Sequence, residues 1–128
     1  MAKELRKHAR IDLTVHRLQA TLALIEENTI TGCLVPIKDF SKSGAGIYLK
    51  FEASPQTHVR LSIEELNFNP LEGRIIWCAA VEGDSQVPTG FTHKAGIEFM
   101  PKDDTEKENQ LLAFNTIQAL STFKSSSK

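Results

Sequence analysis

Pro36-Ile37-Lys38-Asp39-Phe40-Ser41-Lys42-Ser43-Gly44-Ala45-Gly46-Ile47-Tyr48-Leu49-Lys50-Phe51 holds the end of one strand, a tight turn and the whole of the next strand. Ala45, Ile47, Leu49 and Phe51 recur at every second residue, the period of a strand with one buried face. The preceding stretch, Asp39 to Gly44, carries turn chemistry. Asp and Ser side chains bond their own backbone, and glycine tolerates positive φ and close backbone approach. Thr29 to Phe40 reads as the strand entering that turn, and Pro36 within it demands a sheet edge or a bulge, because it has no N–H for the ladder.

Working outward, the same alternation repeats. Ile11, Leu13 and Val15 alternate with polar residues, and from Leu18 the apolar positions become even, through Ala20, Leu22 and Leu24. A one-residue slip near His16-Arg17 is what a β-bulge produces. Glu26-Glu27-Asn28 is a turn. Downstream, Ser54-Pro55-Gln56 separates the strand ending at Phe51 from Val59, Leu61 and Ile63, and Asn67-Phe68-Asn69-Pro70 is a further break or the irregular start of the next strand. Gly73 to Val81 is rich in branched and aromatic residues, which places Trp77 in the core. Glu82 to Thr92 is a loop, and Ala95, Ile97 and Phe99 form a last strand. The fold class is therefore all-β with a C-terminal helix: a six-stranded antiparallel β-barrel, whose closure removes exposed edges, followed by one α-helix.

The helix begins at a capping box, Thr105-Glu106-Lys107-Glu108, with Asp103 and Asp104 favouring its positive end. It is expected from about residue 106 to 123. Leu111, Phe114, Ile117, Leu120 and Phe123 recur every three residues, a spacing that drifts around a helix of 3.6 residues per turn. With Leu112, Ala113 and Ala119 the apolar arc is broad. Core packing accounts for most of it, and the spare part offers a homodimer or partner surface. The chain thus divides into a basic N-terminal arm (residues 1–10), expected to be mobile, the barrel and helix (11–123), and a polar tail (124–128), expected to be disordered.

The 128 residues suit one domain, and 41% hydrophobic with 24% charged residues is ordinary for a globular protein with a working core. The N-terminus lacks the apolar stretch of a secretory signal. The longest apolar run, Ile75 to Val81, falls far short of the roughly 20 residues that cross a bilayer. Cys33 and Cys78 sit in apolar runs and read as free buried thiols in a reducing cytoplasm, a disulfide or metal pair being the lesser alternative. A net charge of −1 excludes a global field that would gather nucleic acid or anionic membrane. Lys3, Arg6, Lys7 and Arg10 concentrate cations locally, as a solvated arm or an anion site. His8, His16, His58 and His93 have no ligand-like spacing, so no metal site is expected. No serine or cysteine has a catalytic setting of base and orienting acid, so an enzyme is not expected.

Two motifs carry chemistry: Arg6-x-x-x-Arg10 before the first strand, and Asp39-x-Ser41-x-x-Gly44 in the turn quoted above. Guanidinium presents a fork of N–H donors that matches a phosphate or the O6/N7 edge of guanine. An ionised Asp39 only accepts, which suits the N–H donors on the Watson–Crick edge of guanine, and the Ser41 hydroxyl does both. Either motif alone is weak, the first a common basic pair and the second an ordinary turn. Their joint occurrence in this order is far less accidental.

In these motifs the chain resembles the PilZ domain family, and Gly73-Arg74-Ile75-Ile76-Trp77 with Ala95-Gly96-Ile97-Glu98-Phe99 resembles its closing pair of strands. The likeness spans residues 6 to about 122 and implies a six-stranded barrel with a following helix. It also implies a receptor for cyclic di-GMP, with no cofactor, that changes shape on binding and regulates an unidentified downstream protein in motility, exopolysaccharide production or a related bacterial behaviour. Arg6 and Arg10 would meet phosphate and guanine, and Asp39, Ser41 and Gly44 would line the other side of a guanine. Thr89-Gly90-Phe91 has no counterpart role, and Leu5 stands where ligand stoichiometry could be set. The alternative is a protein-interaction adaptor with the same barrel and no need of the nucleotide. A binder of single-stranded nucleic acid would want exposed aromatics interleaved with basic residues, which the chain lacks beyond its arm.

Overall fold

The computed structural model describes residues 11–13, 18–66, 68–82 and 87–126, with side chains as far as residue 121. The elements are β1 (Ile11–Asp12), β2 (Gln19–Glu26), β3 (Thr29–Phe40), β4 (Gly44–Leu49), β5 (His58–Ser62), β6 (Leu71–Ala80), β7 (His93–Phe99) and α1 (Asp104–Ser126). The sheet runs β1-β3-β2-β5-β6-β7-β4, and β4 pairs back onto β3. Six antiparallel strands, β2 to β7, thereby close into a barrel, and β1 is a short addition to β3. The barrel with one C-terminal helix is the expected fold.

Closure follows from the alternation. Ala20, Leu22 and Leu24 of β2 point inward, as do Val59 and Leu61 of β5, and Ala45, Ile47 and Leu49 of β4. Phe40, Ile75 and Ile97 join them, with the Phe40 and Phe99 rings 5.3 Å apart. Burying one such side chain contributes about 1.5–3 kcal/mol.

Two local features differ from the sequence reading. The expected bulge at His16-Arg17 lies outside the described residues. On either side of it Asp12 faces Asp39 and Gln19 faces Pro36. Register shifts occur at two other places, between Ile37 and Asp39 in β3 and between Ile75 and Trp77 in β6. The second re-aims the end of β6, leaving Trp77 42% exposed and not in the core. The amphipathic count failed there because a bulge inverts the phase of every residue beyond it.

Pro36 sits where its missing N–H costs least. Ile37 donates its N–H to the Leu18 carbonyl, so odd-numbered β3 residues turn their amides toward β2. Pro36 faces the other way, one residue before β4 begins to pair.

The helix starts two residues earlier than its expected box. Asp103 Oδ1 accepts the Glu106 N–H at 2.9 Å, and the Glu106 carboxylate accepts the Lys102 N–H at 2.8 Å. Aspartate is the better N-cap, and it takes the role from Thr105. At the other end α1 continues to Ser126, into the segment expected to be tail, since extending a formed helix through serine costs only a fraction of a kcal/mol per residue, about 0.5. Ala113, Phe114 and Ile117 reach the core, whereas Leu111 and Leu112 are each 48% exposed. Thr89-Gly90-Phe91 acquires a structural role: the Phe91 ring lies 5.2 Å from Lys50 Nζ, and the next residue, Thr92, donates its N–H to the Leu49 carbonyl.

Candidate functional site

The turn between β3 and β4 is organised by Ser41. Its buried Oγ accepts the N–H groups of Ser43 and Gly44, each at 3.2 Å, and its own N–H bonds the Gly44 carbonyl at 2.8 Å. The hydroxyl therefore holds the turn, and a ligand would meet the backbone shape that Ser41 imposes. Gly44 contributes by size. Its φ is not positive, so of the two freedoms glycine allows it is close approach that is used; a Cβ there would lie 2.1 Å from the Ile97 carbonyl oxygen. Only glycine lets β4 leave the turn so close to β7.

Asp39 is the last outward-facing residue before the turn, and it is largely buried. Its carboxylate lies over Gly46 of β4, where an added Cβ would come within 2.8 Å of Oδ1. Lys38 Nζ is 3.1 Å from Oδ2. On the far side Asp12 of β1 stands directly opposite Asp39. The row continues the other way: Asp39 pairs with Gly46, Gly46 with Gly96, and Gly96 with Trp77. The Trp77 indole in turn covers Gly96, where a Cβ would meet Nε1 at 2.3 Å. Two glycines thus form a floor across β4 and β7 on which a carboxylate rests at one end and an indole at the other.

The adjoining outward row is polar. Arg74 Nη2 lies 2.9 Å from Glu98 Oε1, and Arg74 Nη1 donates to Gln56 Oε1 at 2.7 Å. Beyond it, Glu72 accepts from Arg60 and from His58, the latter at 2.7 Å. Burial alone would raise the Glu72 pKa, but the hydrogen bonds and charges of Arg60 and His58 prevail and hold it below the usual carboxylate range. Arg74 is therefore committed to its own partners.

The turn is also fastened to the helix and the last strand. Gln110 Nε2 donates to the Lys42 carbonyl, Lys42 Nζ sits 5.6 Å above the Phe114 ring, and the Phe99 N–H bonds the Ser43 carbonyl at 2.9 Å.

Of the five residues expected at the site, Asp39, Ser41 and Gly44 come together in this way, while Arg6 and Arg10 lie outside the described residues. Gly46, Gly96 and Trp77 were missed. A glycine inside a strand marks close approach of another group, and that was the available signal for Gly46 and Gly96. Cys33 and Cys78 are free thiols, and burial pushes the Cys33 thiol up. Among the described residues no cluster of three His, Cys, Asp or Glu could hold a metal ion, and no helix is long and apolar enough to cross a membrane.

No curated protein is similar enough in sequence to count as a match. Among solved structures, the chain is similar to MrkH of K. pneumonia in complex with c-di-GMP, at a TM-score of 0.68 and 12% identity over 93% of this chain and 55% of that one. It is also similar to the PilZ domain of YcgR from Escherichia coli with c-di-GMP, at 0.63 and 13% over 96% and 98% of the two chains. Against a YcgR structure of greater length the values are 0.53 and 10%, over 96% of this chain and 50% of that one. The chain thus spans about half of MrkH and of the longer YcgR, and at these identities the likeness shows the fold. The model of the PilZ domain matches residues 4–115. With the signature turn in place on a closed six-stranded barrel, the chain belongs to the PilZ domain family.

Proposed function

We propose that this chain is a receptor for cyclic di-GMP, and that it binds the nucleotide on the outer barrel face where the Asp39–Gly44 turn meets the floor of Gly46 and Gly96. The observation that carries the reading is the single cross-strand row that brings Asp39 and the exposed Trp77 to the two ends of that floor. An aspartate that accepts from the Watson–Crick edge of guanine and an indole that offers a π-face are complementary to one base. The family and the nucleotide present in the MrkH and YcgR structures support the same ligand.

A doubly anionic ligand also needs cations. On the described rim Lys38 is bound to Asp39 and Arg74 to Glu98, and the guanidinium forks of Arg6 and Arg10 suit the phosphates. Their reach is sufficient. Arg10 is two residues before Asp12, at most about 7 Å of chain, and Asp12 stands opposite Asp39. Ordering such an arm costs about 1–2 kcal/mol per residue, and charge-assisted hydrogen bonds return roughly 1.5–3 kcal/mol each, which leaves room for a micromolar complex.

The receptor acts by conformation and not by catalysis. Closing the arm onto the turn would load the contacts from Lys42 and Ser43 to α1 and β7, so the helix is the element that feels the ligand. The exposed Leu111 and Leu112 then offer a downstream protein its contact surface. Free thiols agree with a cytoplasmic setting, where a second messenger would be met. Calorimetric titration tests the reading: saturable micromolar binding by the native chain, lost in Arg6→Ala/Arg10→Ala. Absence of heat at high micromolar nucleotide would favour the nucleotide-independent adaptor.

A further inference from the structure

We propose that the outer edge of β3, residues 29–36, is a self-complementary docking strand that joins a second copy of this chain edge to edge. Three independent features of that edge fit one another.

The first is hydrogen-bonding supply. β3 pairs with β2 along Thr29–Pro36, but pairing with β4 begins only at Ile37. Among the described residues no strand occupies the other side of 29–36. Odd-numbered residues turn their amides toward β2, so Ile30, Gly32 and Leu34 present N–H and C=O groups outward. Pro36 closes the row with no N–H to give. Thr29, Ile30, Thr31 and Gly32 are all exposed, so nothing described stands in the way of an approaching strand.

The second is side-chain symmetry. Ile30 is 66% and Leu34 65% exposed, the two most exposed large apolar side chains among the described residues, and they lie two residues either side of Gly32. An antiparallel pairing of two copies centred on Gly32 sets Ile30 opposite Leu34 of the second copy, and Leu34 opposite its Ile30. That register pairs even residues with even residues, which are the ones with free amides. The hydrogen-bond phase and the apolar pairing therefore select the same alignment. Gly32 has no atom within 4 Å of where a Cβ would be, so the two-fold axis passes through open space.

The third is charge. Edges are ordinarily protected by charged side chains, especially lysine. Thr29-Ile30-Thr31-Gly32-Cys33-Leu34-Val35-Pro36 carries none, and the net charge of −1 leaves little repulsion between copies. A charged peptide partner would find nothing to pair with along this strand, whereas its own copy matches it. One strand edge buries less than the roughly 1,200–2,000 Å² of a stable interface, so the dimer is a weak, reversible one.

Sedimentation velocity of the full chain without nucleotide, from about 10 μM to 1 mM, tests this. The native chain should pass from one copy toward two across that range. Ile30→Lys with Leu34→Lys opposes like charges at both positions and should weaken association at least about tenfold. Ile30→Lys with Leu34→Glu opposes an ammonium to a carboxylate in the same register and should restore it. Both positions are exposed, so a circular dichroism melt matching the native one secures folding. A native chain that stays single throughout overturns the proposal. So does a dimer indifferent to the charge pattern, including one dispersed only by Leu111→Ser/Leu112→Ser on α1.

Discussion

Asp39 and Trp77 lean inward from opposite ends of one cross-strand row, the carboxylate over Gly46 and the indole over Gly96. They are 38 positions apart in sequence, and β4 and β7 alone lie between them. Because Trp77 is the only tryptophan, its fluorescence reports this face directly. Titration with cyclic di-GMP should change the emission saturably. Trp77→Ala should weaken binding by roughly 1–3 kcal/mol, the usual worth of one stacked base, and should keep a cooperative melt at a lower temperature because the indole is partly buried. Native emission unaltered at saturating nucleotide would remove the indole from the site.

Gly44 and Gly46 are two residues apart, yet their replacement by alanine should have opposite signatures. A Cβ at position 44 meets the Ile97 backbone carbonyl, which cannot step aside, so Gly44→Ala should destabilise the fold by about 1–3 kcal/mol. A Cβ at position 46 meets the Asp39 carboxylate, a side chain that can rotate away. Gly46→Ala should therefore lose affinity, about tenfold or more, with a smaller change in denaturant midpoint. Equal unfolding penalties in the two variants would contradict the assignment of their neighbours.

Ser41→Ala separates support from contact. Removing Oγ leaves the Ser43 and Gly44 N–H groups without their acceptor, at a cost of roughly 1–3 kcal/mol. Thermal unfolding should shift by several degrees, on the order of 3–6 °C per kcal/mol for a domain of this size. A variant that melts like the native chain but fails to bind would make Ser41 a ligand contact and not the keeper of the turn.

The barrel was legible because β2, β4 and β5 obey strict alternation and their turns are marked by Glu27-Asn28, by Ser41 to Gly44 and by Pro55-Gln56. The turn half of the site was legible because its side chains bond their own backbone, a local affair. The floor was not. Gly46 and Gly96 acquire meaning only when register puts them side by side, and Trp77 reaches the surface only because of a bulge after Ile75. Register across β4, β7 and β6 is a long-range property, and alternation counted along one strand cannot report it. The helix cap shows the same thing on a small scale: two acceptable caps stood two residues apart, and Asp103 prevailed.

Glu72 should make the fold sensitive to acid. Its folded pKa lies below the unfolded value because Arg60 and His58 hydrogen-bond the ionised form, outweighing the burial that opposes it. A depressed carboxylate contributes stability that is fully present above its unfolded pKa, near 4.3 by the ordinary glutamate value, and that is lost as pH falls through the folded pKa. Glu72→Gln removes the contribution, so the variant should be less stable than the native chain at pH 7. The gap should close on acidification below about pH 4. Urea midpoints measured from pH 7 to pH 3 check this, and a gap that stays constant over that range would show that Glu72 acts through packing between β5 and β6 and not through its charge.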